Sequence, residues 1–240
     1  MIIAAHQPNY IPWLGFFHKM DFVDKFIILD NVQFTKGAFI QRNKIKTANG
    51  ELMLTIPVKT KMDTLIKDVL INNSLDWQKK HWLSIKYNYK KSPYWNYLSD
   101  ELEEIYNGDW IKLFDFNMEI IELIRNKLGI NTKIIIASEL KQNFGKKTNM
   151  LIDLCKHLEA DTFFTGTGSK SYIEQEKFEQ NNINLVFQNY NHPIYQQRFG
   201  NFISHMSILD LLFNCGPKSL EILRQGNLHN NNHSSFHILD

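Results

Sequence analysis

The sequence predicts an α/β fold, with a mainly parallel sheet, helices on both faces of the sheet and a helical segment in the middle of the chain. Two observations support this prediction. Short apolar or β-branched runs alternate with helical patterns, as in parallel strands joined by crossover helices. Apolar residues make up 43% of the 240 positions, which is enough to bury a sheet on both faces.

Five of these runs are predicted to be the strands of the parallel sheet. They are residues 2–5, 26–29, 132–137, 162–165 and 185–188. Residues 39–58 are predicted to form a hairpin, because the pair Asn49-Gly50 is a strong turn signal. We expect one domain over residues 1–225 and a polar, disordered tail over residues 226–240, where asparagine and histidine dominate.

Helical patterns fill the middle of the chain and recur towards its end. Residues 77–90, a second stretch restarting at Ser92-Pro93, and residues 109–127 form a predicted helical subregion of about 74–128. Asp109 is the expected cap of the third helix, and Gly129 is expected to end it. Further helices are predicted for residues 147–158, 169–180 and 207–213.

Charge and hydropathy limit the classes of partner. Lys and Arg total 27, Asp and Glu total 25, and the formal charge is +2, so no basic field for general nucleic-acid binding is present. A local contact with an aminoacyl-tRNA donor is compatible with this charge balance. The sequence shows no signal peptide and no apolar run of membrane-spanning length, so we expect a cytoplasmic protein that does not bind membranes.

The sequence gives no pattern for a metal or a cofactor. Cys155 and Cys215 lie far apart and form no zinc pattern or redox pair. Cys155 falls in a helical apolar pattern, where a buried and inert thiol is expected. The spacing of His, Cys and acidic residues matches no metal site, and we expect neither a metal nor a cofactor to be required.

The loop after the first predicted strand is the strongest candidate for a site. Ligands of open parallel sheets bind outside the carboxyl ends of the strands. His6 is suited to act as a base or hydrogen-bond donor near neutral pH. The loop also offers hydrogen-bonding groups and a stacking face for a substrate, at Gln7, Asn9, Tyr10 and Trp13. The alternative is a packed structural loop, with His6 bonded to a backbone carbonyl.

A second polar group follows the second predicted strand. Asp30 ends that strand and is a further candidate catalytic residue. Arg42 supplies a fixed positive charge suited to a phosphate or carboxylate, so it is the candidate anion clamp. Gln33, Lys36 and Asn43 are candidate substrate ligands, although Lys36 also fits an ordinary solvated surface position.

Two more candidate segments follow the fourth and fifth predicted strands. Gly166, Ser169, Lys170 and Tyr172 lie at a glycine-rich turn that suits an anion, although it matches neither a P-loop nor a dinucleotide fingerprint. A plain tight turn is the alternative there. His192 is a second candidate base and Tyr195 a candidate substrate ligand, with an ordinary closing loop as the alternative. We expect His6, Asp30, Arg42, Tyr172 and His192 to converge on one pocket.

Several motifs together resemble the WbqC-like protein family over nearly the whole chain to about Gly216. These motifs are HQPNYIPWLG at 6–15, LDNVQF at 29–34, QRN at 41–43, IPV at 56–58, HPIY at 192–195 and SILDLLFNCG at 207–216. Gln196 departs from the pattern, standing where a proline is expected. The resemblance implies a role in bacterial surface-polysaccharide (O-antigen) biosynthesis, with glycine transfer to an amino sugar as the suggested activity. It assigns no catalytic residue.

The order of elements also resembles the Rossmann-like nucleotidyltransferase half of pantothenate synthetase-like proteins. Those proteins carry a His-x-Gly-His motif that contacts nucleotide phosphates. Aligned on Gly15, this chain has Trp13 and Phe16 at the histidine positions. The resemblance therefore implies a shared fold and not the adenylyl-transfer chemistry.

Three functions remain open at the level of the sequence. The first is an acyl or aminoacyl transferase acting on a nucleotide-linked amino sugar, with His6 or His192 as the base. The second is a nucleotidyltransferase-like, phosphate-handling enzyme. The third is a non-catalytic protein that binds a sugar nucleotide.

Overall fold

A computed structural model describes residues 1–226 of the chain. The strands are β1 Ile2–His6, β2 Lys25–Ile28, β3 Arg42–Thr47, β4 Gly50–Thr55, β5 Val58–Lys59, β6 Leu70–Ile71, β7 Lys133–Ile136, β8 Thr162–Gly166 and β9 Asn184–Gln188. The helices are α1 Leu14–Phe22, α2 Trp77–Tyr89, α3 Ser99–Asn107, α4 Leu113–Leu128, α5 Thr148–His157, α6 Gln175–Gln180, α7 Ile208–Cys215 and α8 Ser219–Gln225.

The central sheet is parallel and has five strands in the order β7-β2-β1-β8-β9. In chain order these strands are the third, second, first, fourth and fifth of the sheet, which is a doubly wound, Rossmann-like arrangement. The chain therefore reverses direction across the sheet between β1 and β8, where Ile3 pairs with Phe163. The carboxyl ends of β1 and β8 diverge into loops at this switch point, which is where ligands bind in folds of this kind.

The sheet is buried on both faces, as its apolar strands predict. Ala4, Phe26 and Phe164 belong to a core that includes α1, α2, α4 and α7. Ile3 and Ile27 belong to a second core that includes α5 and Phe178 of α6. Because successive strand residues face opposite sides, each strand contributes to both cores. The α/β prediction is therefore confirmed.

The long connection between β2 and β7 contains the predicted hairpin and the predicted helical subregion. β3 and β4 pair antiparallel, with Arg42 opposite Thr55 and Thr47 opposite Gly50. α2, α3 and α4 follow, and Gly129 ends α4 in the left-handed conformation with φ of 73°. Ser207 caps α7 as its position suggests, accepting a hydrogen bond from the backbone N–H of Leu209.

Three predicted helix starts are wrong. α3 begins at Ser99 and not at Ser92-Pro93, because the N–H of Tyr94 donates to the carbonyl of Phe213. α4 begins at Leu113 and not at Asp109, because the chain before it pairs with β6 through the carbonyl of Ile111. The helix predicted from Ser169 begins at Gln175, after a short 3-10 turn.

The loop between β1 and α1 is held by two buried side-chain amides. The Asn43 amide donates to the carbonyls of Tyr10 and Ile11 at 3.2 and 2.8 Å. The Asn117 amide, from α4, donates to the carbonyls of Pro8 and Ile40 at 2.8 and 2.7 Å. These bonds hold Ile11 at φ of 35°, a conformation that is costly for a β-branched residue.

Cys155 is fully buried, as expected, and burial raises the pKa of its thiol to about 12, which disfavours the reactive thiolate. Within residues 1–226, no helix is long and apolar enough to cross a membrane. The predicted disordered tail lies, apart from Gly226, outside the described residues.

We expect replacement of Asn117 by Ala to lower the free energy of unfolding by about 2–4 kcal/mol, because two buried carbonyls lose their donor and a cavity remains. Urea unfolding measures the change. The control is Asn181→Ala, which removes only a partly buried bond to the carbonyl of Lys177 and should cost below about 1 kcal/mol. Equal losses in the two variants would show that Asn117 does not hold the loop.

Candidate ligand-binding site

A cavity of about 600 Å³ lies at the switch point of the sheet. Its walls come from the ends of β1 and β8, from α1 and from the segment after β9. The lining residues are Ala5, His6, Gln7, Trp13, Gly15, Lys19, Leu29, the run 165–169, Tyr172, Gln188 and Tyr190. The volume is within the range of sites for small ligands.

His6 ends β1 and faces this cavity as a neutral imidazole. Its Nδ1 lies 2.9 Å from the carbonyl of Gln7 and donates to it. Burial, and to a lesser extent the nearby Lys19 ammonium, lower the pKa of His6 to about 3. Its Nε2 makes no hydrogen bond within residues 1–226, so it is available to accept a proton or a hydrogen bond from a ligand.

Lys19 is a buried cation in the wall of the same cavity. Its side chain is 5% exposed, and its Nζ lies 3.5 Å from where a Cβ on Gly166 would be. Burial lowers the pKa of Lys19 to about 8. The ammonium makes no ion pair or hydrogen bond to any residue from 1 to 226. At neutral pH it is still mostly protonated, so the cavity contains a positive charge without a counter-ion from the protein.

Trp13 separates this cavity from a second one of about 460 Å³. The indole folds over Gly15, where a Cβ would lie only 2.2 Å from the ring. It also stacks on His205 at 5.2 Å between ring centroids. The second cavity is lined by His6, Gln7, Asn9, Trp13, Ala38, Phe39, Asn43 and His205. His6, Gln7 and Trp13 therefore face both cavities.

The glycine-rich turn after β8 forms the wall opposite β1. The Ser169 hydroxyl donates to the carbonyl of Gly166 at 2.6 Å, so it turns inward. This bond competes with helix formation and accounts for the 3-10 turn. Tyr172 lines the cavity and is 59% exposed. Lys170 lies outside the lining, with its ammonium over the ring of Phe187.

Four of the predicted polar residues lie away from both cavities. Asp30 is buried and accepts hydrogen bonds from the N–H and the hydroxyl of Ser138, so its carboxylate holds the start of the segment after β7. Arg42 is exposed and packs beside Gly37. Gln33 donates to Asp63, and Lys36 is exposed on the surface.

Three further predicted residues make structural contacts. The Tyr10 hydroxyl is fully buried and bonds to His81 and Tyr106, so it does not reach a ligand. The Tyr195 hydroxyl donates to Asp210 at 2.9 Å. Asn43 touches the second cavity, but its amide is used by the loop carbonyls.

His192 lies behind Trp13 in an aromatic cluster. Its ring stacks on Trp13 at 6.5 Å between centroids and contacts His205 at 5.3 Å. Its Nδ1 bonds to the carbonyl of Pro193, and burial lowers its pKa. Of the five residues expected to converge, the structure brings His6 and Tyr172 into the lining and leaves Asp30, Arg42 and His192 outside it.

Sequence reasoning missed Lys19 and Gln188 as site residues. The Gln188 amide lies at hydrogen-bond distance from the carbonyl of Gly15 and from His18, which ties β9 to α1. α1 is buried along most of its length, so no polar face marks the position of Lys19. The one available signal was a lysine within the apolar run from Leu14 to Met20.

The structure is an α/β protein with a cavity at the switch point of its parallel sheet. The model of the WbqC-like protein family matches residues 7–222. Rv1507c, an uncharacterised protein of Mycobacterium tuberculosis, is 34% identical over 226 residues, which is 92% of this chain and 97% of that protein. The chain therefore belongs to the WbqC-like family. No solved structure gives a significant match.

Acid should destabilise the fold through its buried neutral histidines. Burial lowers the pKa of His6 to about 3 and that of His81 to about 4, whereas both titrate near 6.5 when unfolded. As the pH falls below 6.5, the unfolded chain binds protons that the folded chain does not. Each histidine should therefore remove about 1.4 kcal/mol of stability per pH unit down to its folded pKa.

Urea unfolding at pH 7.5 and pH 5 measures this effect. Between the two pH values, the free energy of unfolding of His6→Gln should fall by roughly 2 kcal/mol less than that of the unmodified protein. His157→Gln, at an exposed position, is the matched control and should keep the full loss. An unchanged pH dependence in His6→Gln would show that His6 is not a buried neutral base.

Proposed function

We propose that the protein is a cytoplasmic transferase of surface-polysaccharide (O-antigen) biosynthesis. It transfers an acyl or aminoacyl group, with glycine as the first candidate, to the amine of a nucleotide-linked amino sugar. One observation supports the proposal most directly: two cavities of about 600 and 460 Å³ share the wall formed by His6, Gln7 and Trp13. A two-substrate transfer requires two adjacent sites with a proton acceptor between them.

In the proposed reaction, His6 acts first as a general base and then as a general acid. The sugar amine attacks the carbonyl carbon of the activated acyl donor and forms a tetrahedral intermediate. The proton released from the attacking nitrogen passes to Nε2 of His6, because Nδ1 is already bonded to the carbonyl of Gln7. The intermediate then collapses, the leaving group departs and His6 returns the proton to it.

The two cavities suit different parts of this reaction. The larger one holds the Lys19 cation and backbone groups of the 165–169 turn, which favour the charged nucleotide-linked sugar. The smaller one is lined by Ala38, Phe39 and the amide of Asn9, which suits a compact and less charged acyl group. Trp13, together with His6 and Gln7, forms the wall that the two sites share.

A nucleotidyltransferase-like, phosphate-handling enzyme is the second candidate, and the buried Lys19 cation favours it. The residues at the two positions of the His-x-Gly-His motif argue against it. Trp13 packs over Gly15, and Phe16 is fully buried against Phe17 and Phe26. Phe16 has no polar atom to offer a phosphate, and the indole of Trp13 has one neutral N–H where histidine has a ring that can carry a positive charge.

Mass spectrometry of the purified protein with UDP- and dTDP-linked amino sugars and a panel of acyl and aminoacyl donors tests the proposal. The expected product is the amino sugar carrying one added acyl or glycyl group. His6→Ala should lower turnover by about 10²- to 10⁴-fold, the usual effect of losing a general base. His157→Ala, at an exposed position, should retain turnover.

The outcomes separate the three functions. Pyrophosphate release from a nucleoside triphosphate and a sugar phosphate would favour the nucleotidyltransferase. Binding of nucleotide-linked sugars with no product from any donor would favour the non-catalytic protein. Full turnover in His6→Ala would contradict the role given to His6.

A further inference from the structure

We propose that Lys19 is the anchor for a phosphate group of the ligand in the switch-point cavity, and that the ligand enters with its phosphates against Lys19 and Gly166. The identification of the anion as a phosphate rests on the proposed function. The existence of an anion site there rests on the geometry alone, so the two can fail separately.

The surroundings of Lys19 leave its charge unmatched by the protein. Burying an ammonium costs free energy unless it is paired, so an unpaired one is rare in a stable fold. The ammonium of Lys19 faces the cavity of about 600 Å³ at the switch point of the sheet. No Asp or Glu is among the residues that line this cavity. The cavity is therefore a cationic compartment, and an anion entering it gains an ion pair without displacing a carboxylate.

The neighbours of Lys19 bring no negative charge to its ammonium, and one of them is a glycine. Gly166 lies against the ammonium, with 3.5 Å between Nζ and the place of a Cβ, so the backbone comes close to the charge. The Ser169 hydroxyl is turned away to the carbonyl of Gly166. The other titratable groups that line the cavity are His6, whose imidazole is neutral, and the phenols of Tyr172 and Tyr190. None of them neutralises the Lys19 charge at neutral pH.

Isothermal titration calorimetry with UDP, uridine and inorganic pyrophosphate tests the proposal. We expect UDP to bind the unmodified protein at least about tenfold more tightly than uridine, and pyrophosphate to compete with it. Lys19→Met should remove most of this preference. The matched control is Lys170→Met, which removes an exposed lysine from the same turn outside the cavity lining and should keep it.

The pH dependence identifies the group that holds the phosphate. Burial lowers the pKa of Lys19 to about 8, so its positive charge is present below pH 8 and is lost above it. UDP affinity of the unmodified protein should therefore fall as the pH rises from 7 to 9.5. The UDP affinity of Lys19→Met should change little over this range. If arginine or an ordinary surface lysine held the phosphate, the unmodified protein would keep its UDP affinity as the pH rises.

Stability of Lys19→Met shows whether the residue is structural. Methionine fills a similar volume without a buried charge, so the melting temperature of the ligand-free variant should equal or exceed that of the unmodified protein. A large fall would identify Lys19 as a structural residue and overturn the proposal.

The remaining outcomes are decisive as well. Equal UDP binding by Lys19→Met and the unmodified protein, or no binding of UDP and pyrophosphate by the unmodified protein, overturns the phosphate anchor. If glycine binding, and not UDP binding, depends on Lys19, the anion is a carboxylate and the phosphate assignment fails. A further outcome is that Lys19→Met loses UDP binding while the unmodified protein transfers no acyl group. This result would contradict the proposed function and would support Lys19 as the phosphate anchor.

Discussion

The site depends on two side-chain amides that hold one short loop in place. Asn43 from β3 and Asn117 from α4 donate to backbone carbonyls of the loop after β1. Because of these bonds, Ile11 keeps a strained positive φ and Trp13 lies across Gly15. The long insertion between β2 and β7 therefore has a structural role, which is to hold the loop after β1. Its hairpin supplies Asn43 and its helix α4 supplies Asn117, and these two side chains fix the loop.

The two polar groups at the cavity influence each other. The Lys19 ammonium contributes to the lowered pKa of His6, after the larger effect of burial. An anion bound against Lys19 would offset the Coulombic effect of the ammonium, which would raise the pKa of His6. The free protein thus keeps His6 neutral and weakly basic. In the proposed reaction, the charge of the bound substrate would make His6 a better proton acceptor.

The sequence predicts the strands well because each is a short apolar run between turn signals, and β1, β2, β8 and β9 are close to their predicted bounds. It indicates His6 and Trp13 because His6 ends β1 and Trp13 lies in the loop that follows. It cannot reveal that the Tyr10 hydroxyl is used by His81 and Tyr106, since these partners are distant in sequence. The sequence does not indicate Lys19 for a related reason. Only the tertiary fold shows that its buried ammonium faces a cavity.

Hydrogen–deuterium exchange with and without a UDP-linked amino sugar tests the central claim, that the ligand binds at the switch point between β1 and β8. We expect slower exchange in peptides covering residues 6–19 and 165–173, with little change in α3 or in the hairpin tip at Asn49-Gly50. Protection confined to another surface, such as the groove between α3 and α4, would show that the ligand does not bind at the switch point.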